Sequence, residues 1–341
     1  MSAQTVLTII LNFRTSAMTL RSAEAAMAEM QHLPGEVLIV DNNSGDGSYE
    51  AILAGAQERG WLADGRLRVE ASPVNGGFGA GMNIGLHTRL ADGSVPDFFY
   101  LLNSDAFPDP GCIRTLRDFL LDHPGAGLAG SYVYGEDGVP HCTLFRFPSI
   151  ASEFEGAART GVISRLLAHA IVPMEIPTEP QQVDWTAGAS LMIRREVIEA
   201  VGGFDETFFL YFEETELCHR AGRSGWRTHY VPQSTIVHVG SASTGMKDWG
   251  RTPTFWLDSR LYYFTRVHGA AYAIGATAAR LAGGAVYGLR RLISNKPRAD
   301  APHFYSDLLR HHVKSLFLRP QRPKLARPLM PQSAPLSEDL E

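Results

Sequence analysis

Only three cysteines, Cys112, Cys142 and Cys218, occur in 341 residues. They are too few and too scattered for a disulfide framework or a zinc site, and they suit a reducing cytosol. No run reaches the roughly 20 apolar residues that a membrane span needs. The nearest, Ala270 to Leu289, is rich in Ala and Gly and is interrupted by Arg280. No basic region precedes Val6-Leu7-Thr8-Ile9-Ile10-Leu11, and this short apolar run suits a buried strand rather than a signal peptide. The phosphate-binding stretch G-x-x-x-x-G-K-[ST] is absent, which excludes a P-loop kinase. The first strand-to-helix turn, Asn12-Phe13-Arg14-Thr15, has no glycine, which counts against a Rossmann dehydrogenase. There is no internal repeat and no long low-complexity tract.

What is present is ordinary globular material: 45% hydrophobic and 20% charged residues, enough for one large domain or two modest ones. The net charge of -5 argues against a general nucleic-acid binder. That figure hides an uneven spread. The chain before Arg290 carries -10, the segment Arg290 to Pro328 carries +8, and the last 13 residues carry -3.

The first half alternates continuous apolar strands (Val6–Leu11, Val37–Val40, Leu67–Glu70, Phe98–Leu102) with helices (Thr19–Met30, Tyr49–Gln57). This predicts an α/β fold with a mostly parallel sheet covered on both faces. Ligands then sit beyond the C-terminal strand ends, where Asp41 and Asp105 lie. Further on, Gly127–Tyr134 reads as a strand and Phe154–Ile171 as a helix. Pro173–Pro180 reads as a linker and Asp184–Ile193 as a strand. Arg195–Val201 and Glu213–Gly222 read as helices and Trp226–Val239 as a strand. Beyond a boundary near 245–255 the chain reads as amphipathic helices (Trp256–Val267, Ala271–Ile293) and a proline-punctuated basic tail.

Five stretches carry candidate chemistry, and each has a plainer alternative. Asp41 in Val40-Asp41-Asn42-Asn43-Ser44 can accept from a base or ribose, or begin an Asx turn. Asn75-Gly76-Gly77-Phe78-Gly79-Ala80-Gly81-Met82-Asn83 lets backbone pass close to a nucleotide, or packs a loop on a helix. Asn103-Ser104-Asp105 offers oxygens to a hard divalent ion, or makes a turn. Glu213, Glu214 and Glu216 follow aromatic residues at a helix start, as a general base with its support or as dipole partners. His238 at a strand end is a candidate metal ligand or an edge residue.

The order of these stretches, with Trp185-Thr186-Ala187-Gly188-Ala189 and Gly203-Phe204-Asp205-Glu206 between them, resembles the family 2 glycosyltransferases of the GT-A fold. The resemblance covers roughly residues 4–245 and is nearest the bacterial rhamnosyltransferases and galactofuranosyltransferases of surface polysaccharide synthesis. It implies that Asp41 contacts the nucleotide base and that Asn75, Gly77, Phe78, Gly81 and Asn83 line the nucleotide site. The family's Asp-x-Asp metal motif falls on Asn103-Ser104-Asp105, with Asn103 replacing the first acid. Asp105 and His238 would then hold Mg²⁺ or Mn²⁺. Gly188 and Ala189, with Trp185 nearby, match the substrate-binding strand. The family's base is an Asp in an aromatic-Glu-Asp motif. Glu214 stands there, one methylene longer, with Glu213 as the alternative.

The implied activity is inverting, metal-dependent transfer of a sugar, rhamnose first, from a nucleotide-diphosphate donor. The acceptor is a glycan or polyprenyl-linked glycan. The implied organisation is a catalytic domain over 1–245, a helical basic extension over 246–328 and a disordered acidic tail over 329–341. The basic, apolar extension (Arg260, Arg266, Arg290 and Arg291 among Trp256, Leu257 and Leu261) fits either a packed helix with a solvated basic face or attachment to an anionic membrane surface. The expected location is the cytoplasm or the inner face of the cytoplasmic membrane, with no nucleic-acid partner. Two rivals stand beside this reading. One is a degenerate glycosyltransferase-like module that binds nucleotide without turnover. The other is a nucleotidyltransferase, which would carry glycines in the first turn.

Overall fold

The computed structural model describes residues 4–63, 65–240, 249–294 and 296–317. The chain runs β1 (Val6–Asn12), α1 (Ser16–Met30), β2 (Gly35–Asp41), α2 (Ser48–Glu58), β3 (Leu67–Ala71), α3 (Phe78–Leu86) and β4 (Phe98–Asn103). There follow β5 (Ala106–Pro108), α4 (Cys112–Asp122), β6 (Ala126–Tyr134), β7 (Pro140–His141), β8 (Leu144–Phe145), α5 (Ile150–Ala158) and α6 (Gly161–Leu166). Then come β9 (Gln181–Val183), β10 (Trp185–Thr186), β11 (Ser190–Arg194), α7 (Arg195–Val201), α8 (Glu213–Arg223) and β12 (Arg227–His238). Three helices close the described chain: α9 (Thr254–His268), α10 (Ala270–Ser294) and α11 (Phe304–Ser315).

The main sheet has the order β3-β2-β1-β4-β11-β6-β12-β5. Its first four strands are parallel, β11 runs against both neighbours, and β12 is parallel to β6. The strands read as continuous apolar runs because alternate residues enter two cores. Val6 and Ile10 pack with Ala23, Met30 and Ile113 on one face. Leu7 and Ile9 pack with Met82, Leu86 and Leu217 on the other. Registers pair Asn12 with Asp41 and Leu11 with Asn103, so the carboxyl ends of β1, β2 and β4 form one edge.

Three expectations about secondary structure change. The strand over Asp184–Ile193 is broken into β10 and β11 at residues 187–189. Thr186 pairs with Leu144 in a separate two-stranded sheet, while Ser190 rejoins the main sheet beside Leu102. The helix over Phe154–Ile171 breaks at Arg159, which caps α5 with a left-handed φ of 45°. The basic tail contains α11, seated on α9 and α10 through Phe304 and Leu308. The boundary near 245–255 and the acidic tail fall partly or wholly outside the described residues.

The C-terminal helices pack directly on the preceding fold. Tyr262 donates to Asp205 at 2.7 Å, Ser259 donates to the Leu210 carbonyl at 2.9 Å, and Phe212 sits against Trp256 and Tyr263. Arg260, expected on a solvated basic face, is instead 1% exposed and paired with Glu153 at 2.7 Å. Burial of a guanidinium demands such a partner.

Candidate active site

A cavity of about 670 Å³ opens at the carboxyl edge of the parallel strands. Of the residues singled out from sequence, it gathers Asn75, Gly77, Phe78, Asn103, Asp105, Gly188, Ala189, Glu213, Glu214 and His238. Asp41, Gly81, Asn83 and Trp185 are not among its lining residues.

Those four stand behind the wall. Asp41 Oδ1 accepts from Asn12 Nδ2 and from Ser44 Oγ, both at 2.6 Å, and Oδ2 accepts from the Ser44 N–H at 3.0 Å. Its carboxylate thereby fixes the turn that presents Asn42 to the cavity. Gly81 lets α3 close on Leu11, whose Cδ1 an added Cβ would meet at 2.4 Å. Asn83 bridges to the backbone of Phe204, accepting at 2.8 Å and donating at 3.0 Å. Trp185 stacks on Phe145 at 4.2 Å and donates from its indole N–H to the Arg146 carbonyl.

At the glycine-rich end, Asn42 Nδ2 donates to Asn75 Oδ1 and to the Gly77 carbonyl, each at 3.1 Å. Asn42 Oδ1 is buried with no partner among the described residues. Gly77 has φ +91°, and a Cβ there would sit 1.8 Å from the Phe209 carbonyl oxygen, which also accepts from the Phe78 N–H at 3.0 Å. Only glycine permits both the backbone angle and the close approach. Gly77→Ala is expected to cost about 1–3 kcal/mol of stability and to weaken nucleotide binding. Urea melts and a titration with nucleoside diphosphate test this, and wild-type values in both would refute it.

In the middle, Asp105 and His238 meet although 133 residues separate them. The short strand β5 explains this. It pairs antiparallel with the end of β12, opposing Ala106 to His238, and the Val239 N–H donates to the Asp105 carbonyl at 3.0 Å. His238 Nε2 lies 3.1 Å from Asp105 Oδ1 and 3.4 Å from Asn103 Nδ2. The described residues contain no cluster of three or more His, Cys, Asp or Glu able to hold a metal. A carboxylate and an imidazole facing an open cavity still fit a hard divalent ion that completes its shell with diphosphate oxygens and water.

At the far end, Tyr211 and Phe212 both take φ of 70°, a left-handed conformation costly for bulky residues. Aromatic packing holds this turn. Phe255 of α9 stacks on Tyr211, and Trp256 and Tyr263 flank Phe212. The turn launches α8, whose first residues are Glu213 and Glu214. One carboxylate oxygen of each is buried with no hydrogen-bond partner among the described residues. Burial raises the pKa of both, and the neighbouring Glu214 charge raises Glu213 further. The Gly188 N–H and Glu214's own backbone partly offset the rise at Glu214. Glu216 is held away from the cavity by Arg220, two bonds of 2.8 Å each.

A buried carboxyl pair beside an Asp–His pair at the edge of a GT-A-like sheet suits transfer from a diphosphate donor, and comparison with known proteins identifies the group. The model of the glycosyl transferase family 2 matches residues 8–202. The chain belongs to this family. An N-acetylglucosaminyl-diphospho-decaprenol L-rhamnosyltransferase of Mycobacterium tuberculosis is 28% identical over 233 residues, 65% of this chain and 72% of that protein. Rhamnosyltransferase WbbL of Escherichia coli is 37% identical over 67 residues, 20% of this chain and 25% of that protein. A solved mannosyltransferase of Pyrobaculum calidifontis, in complex with GDP-Man and Mn²⁺, superposes with a TM-score of 0.50 at 15% identity, covering 92% of this chain and 87% of that one. GalNAc-T7 with UDP, GalNAc and Mn²⁺ superposes at 0.54 and 14% identity, covering 92% and 57%. At such identities the structures establish the fold alone: GT-A, with a mostly parallel central sheet and a C-terminal helical region.

As a family 2 glycosyltransferase, the chain keeps Glu213, Glu214 and His238 outside the matched residues, and their placement comes from the fold. Sequence reading missed Phe13, Asn42, His141, Cys142, Thr143, Phe209, Leu210, Tyr211 and Phe255 as cavity residues. Asn42 stood beside Asp41 in a motif already singled out. Phe255 gave no signal, since it belongs to a helix that follows the motifs.

Proposed function

We propose that this glycosyltransferase moves one sugar, rhamnose first, from a nucleoside diphosphate donor to a hydroxyl of a lipid-linked glycan, with inversion. The observation that carries this reading is the pair of buried carboxyls with unpartnered oxygens in the same cavity as the Asn42–Asn75–Gly77 loop and the Asp105–His238 pair. The M. tuberculosis relative, whose name specifies a decaprenol-linked acceptor and rhamnose transfer, supports the choice of acceptor and sugar. Such an acceptor would place the reaction at the inner face of the cytoplasmic membrane. Residues 1–245 form the catalytic unit in this reading, and the helices of 246–328 support it.

The base of the donor is received at Asn42 and Asn75, over the turn that Asp41 braces. Gly77, Phe78 and the Gly188–Ala189 bend seat the ribose and diphosphate. Asp105 and His238 would hold Mg²⁺ or Mn²⁺, which supplies positive charge to the leaving diphosphate. Glu214 takes the proton of the acceptor hydroxyl. The acceptor oxygen bonds to the anomeric carbon as the bond to the diphosphate oxygen breaks on the opposite face. The nucleoside diphosphate leaves, and no covalent sugar–protein intermediate forms. Glu213 stays protonated beside the base.

The test is a transfer and hydrolysis screen of dTDP-rhamnose, UDP-galactofuranose, UDP-hexoses and GDP-sugars with Mg²⁺ or Mn²⁺, with the product anomer read by NMR. Consumption of one donor with inversion is expected. A retained anomer refutes the single displacement, and no turnover or thermal shift with any donor refutes the function. Asp105→Ala is expected to remove metal-dependent donor binding, and equal donor affinity with and without EDTA in the wild-type chain would refute the metal assignment.

A further inference from the structure

The 25-residue helix α10 exposes an apolar stripe. Ile274, Ala278, Ala282, Ala285, Leu289 and Leu292 recur at three- and four-residue spacing, and all are exposed. Leu289 is 65% exposed, Leu292 85% and the adjoining Ile293 89%. A helix on a globular surface normally carries polar residues at these positions. The other sides of α10 are covered. Gly283 packs against the Phe154 carbonyl of α5, and Gly284 packs against the Tyr305 ring of α11.

The charge around the stripe has one sign. The helix contains no acid. Arg290 and Arg291, beside Leu289 and Leu292, donate to the carbonyls of Arg159 and Lys296, and neither has an ion pair among the described residues. Exposed Lys296 and Arg298 follow at once. The next acid, Asp300, is taken by Arg159 and Arg280. Among the described residues no helix is long and apolar enough to cross a membrane. A helix about 37 Å long at 1.5 Å per residue, apolar on one side and flanked by cations, suits a position in the plane of an interface.

We propose that the exposed face of α10 docks on the surface of an anionic lipid bilayer, with Leu289, Leu292 and Ile293 entering the headgroup boundary. A second copy of the chain would bring more cations to Arg290, Arg291, Lys296 and Arg298 and no acid from this face. Anionic headgroups neutralise them. The proposal rests on the reading above for its purpose and deepens it, because it names the surface on which a lipid-linked acceptor is met.

The full chain is sedimented with vesicles of phosphatidylcholine alone and with added phosphatidylglycerol. Binding to the anionic vesicles, weakened by salt, is expected. Leu289→Glu with Leu292→Glu is expected to weaken it at least about tenfold with an unchanged melting temperature, since both side chains already face solvent. Arg291→Gln, Lys296→Gln and Arg298→Gln together should remove the preference for phosphatidylglycerol. Three results overturn the proposal: no binding to anionic vesicles, full binding by the leucine variant, or a wild-type dimer that this variant turns into a monomer. Donor hydrolysis without vesicles is measured in parallel and should be unchanged in the leucine variant. A chain that docks normally yet consumes no donor refutes the function alone, whereas normal hydrolysis without docking refutes the surface alone.

Discussion

Glu214→Gln is expected to lower sugar transfer about 10²–10⁴-fold, the range for loss of a positioned general base. Gln keeps the length of the side chain and an oxygen for the Gly188 N–H, so α8 stays seated. In the proposed function the donor is held by Asn42, Asn75, Gly77, Asp105 and His238, none of which the change touches. Titration of the donor should therefore give a near-wild-type Kd while turnover collapses. Wild-type turnover would refute the assignment.

The companion change, Glu213→Gln, separates the two carboxyls. Both are lifted by burial, and a pair this close holds one charge more readily than two. The Gly188 N–H favours that charge on Glu214. Transfer should rise with pH as Glu214 ionises, with its acidic limb displaced upward from the ordinary glutamate range. Glu213→Gln imitates the protonated acid and should leave transfer within about tenfold of wild type. Its stability effect has a definite sign. The folded value of Glu213 is raised above the unfolded value of about 4.3. Between the two, the unfolded chain has released a proton that the native chain retains, so native stability falls as pH rises through that window. Glu213→Gln should therefore raise the melting temperature at neutral pH and leave it unchanged near pH 4. A transfer defect as deep as that of Glu214→Gln would move the base to Glu213.

The legible parts of the fold are those where one physical signal dominates. β1, β2 and β4 could be read because burial on both faces leaves unbroken apolar runs. The helix α4 was missed although Cys112, Ile113, Leu116, Phe119 and Leu120 recur at helical spacing along one side, the pattern of an amphipathic helix. The site was legible where it follows a strand end. The meeting of Asp105 with His238 was available only through the family resemblance, since it depends on a three-residue strand with no pattern of its own. Asp41 shows the reverse: the residue was found, but its carboxylate is held inside the turn and Asn42 lines the cavity. Phe255 and the aromatic clamp on Tyr211 and Phe212 come from a helix beyond the boundary placed near 245–255, after the last motif.

That clamp ties the C-terminal helices to the turn before α8, and Arg260 is the residue that most tests this support. Its guanidinium is 1% exposed, bonds Glu153 Oε2 at 2.7 and 3.3 Å and Thr277 Oγ1 at 3.2 Å, and lies 5.1 Å over the Phe264 ring. Thr277 Oγ1 in turn lies 3.0 Å from His312 Nδ1, so one side chain joins α5, α9, α10 and α11. Arg260→Ala would leave the buried Glu153 facing only Arg280, whose nearest approach is 3.9 Å. Stranding one partner of a buried ion pair typically costs about 3–5 kcal/mol, whereas exchanging both for apolar residues of similar volume costs far less. Arg260→Ala should therefore lower the denaturation midpoint sharply and Arg260→Met with Glu153→Leu only slightly. Because Ser259, Tyr262, Phe255 and Trp256 of the same helix hold the turn that carries Glu213 and Glu214, transfer should fall in the single variant and recover in the double one. A single variant that loses less than about 1 kcal/mol, the worth of an exposed pair, would show that the network does not hold the helices in place. A stable double variant that fails to transfer would show that α9 needs Arg260 itself to position the turn.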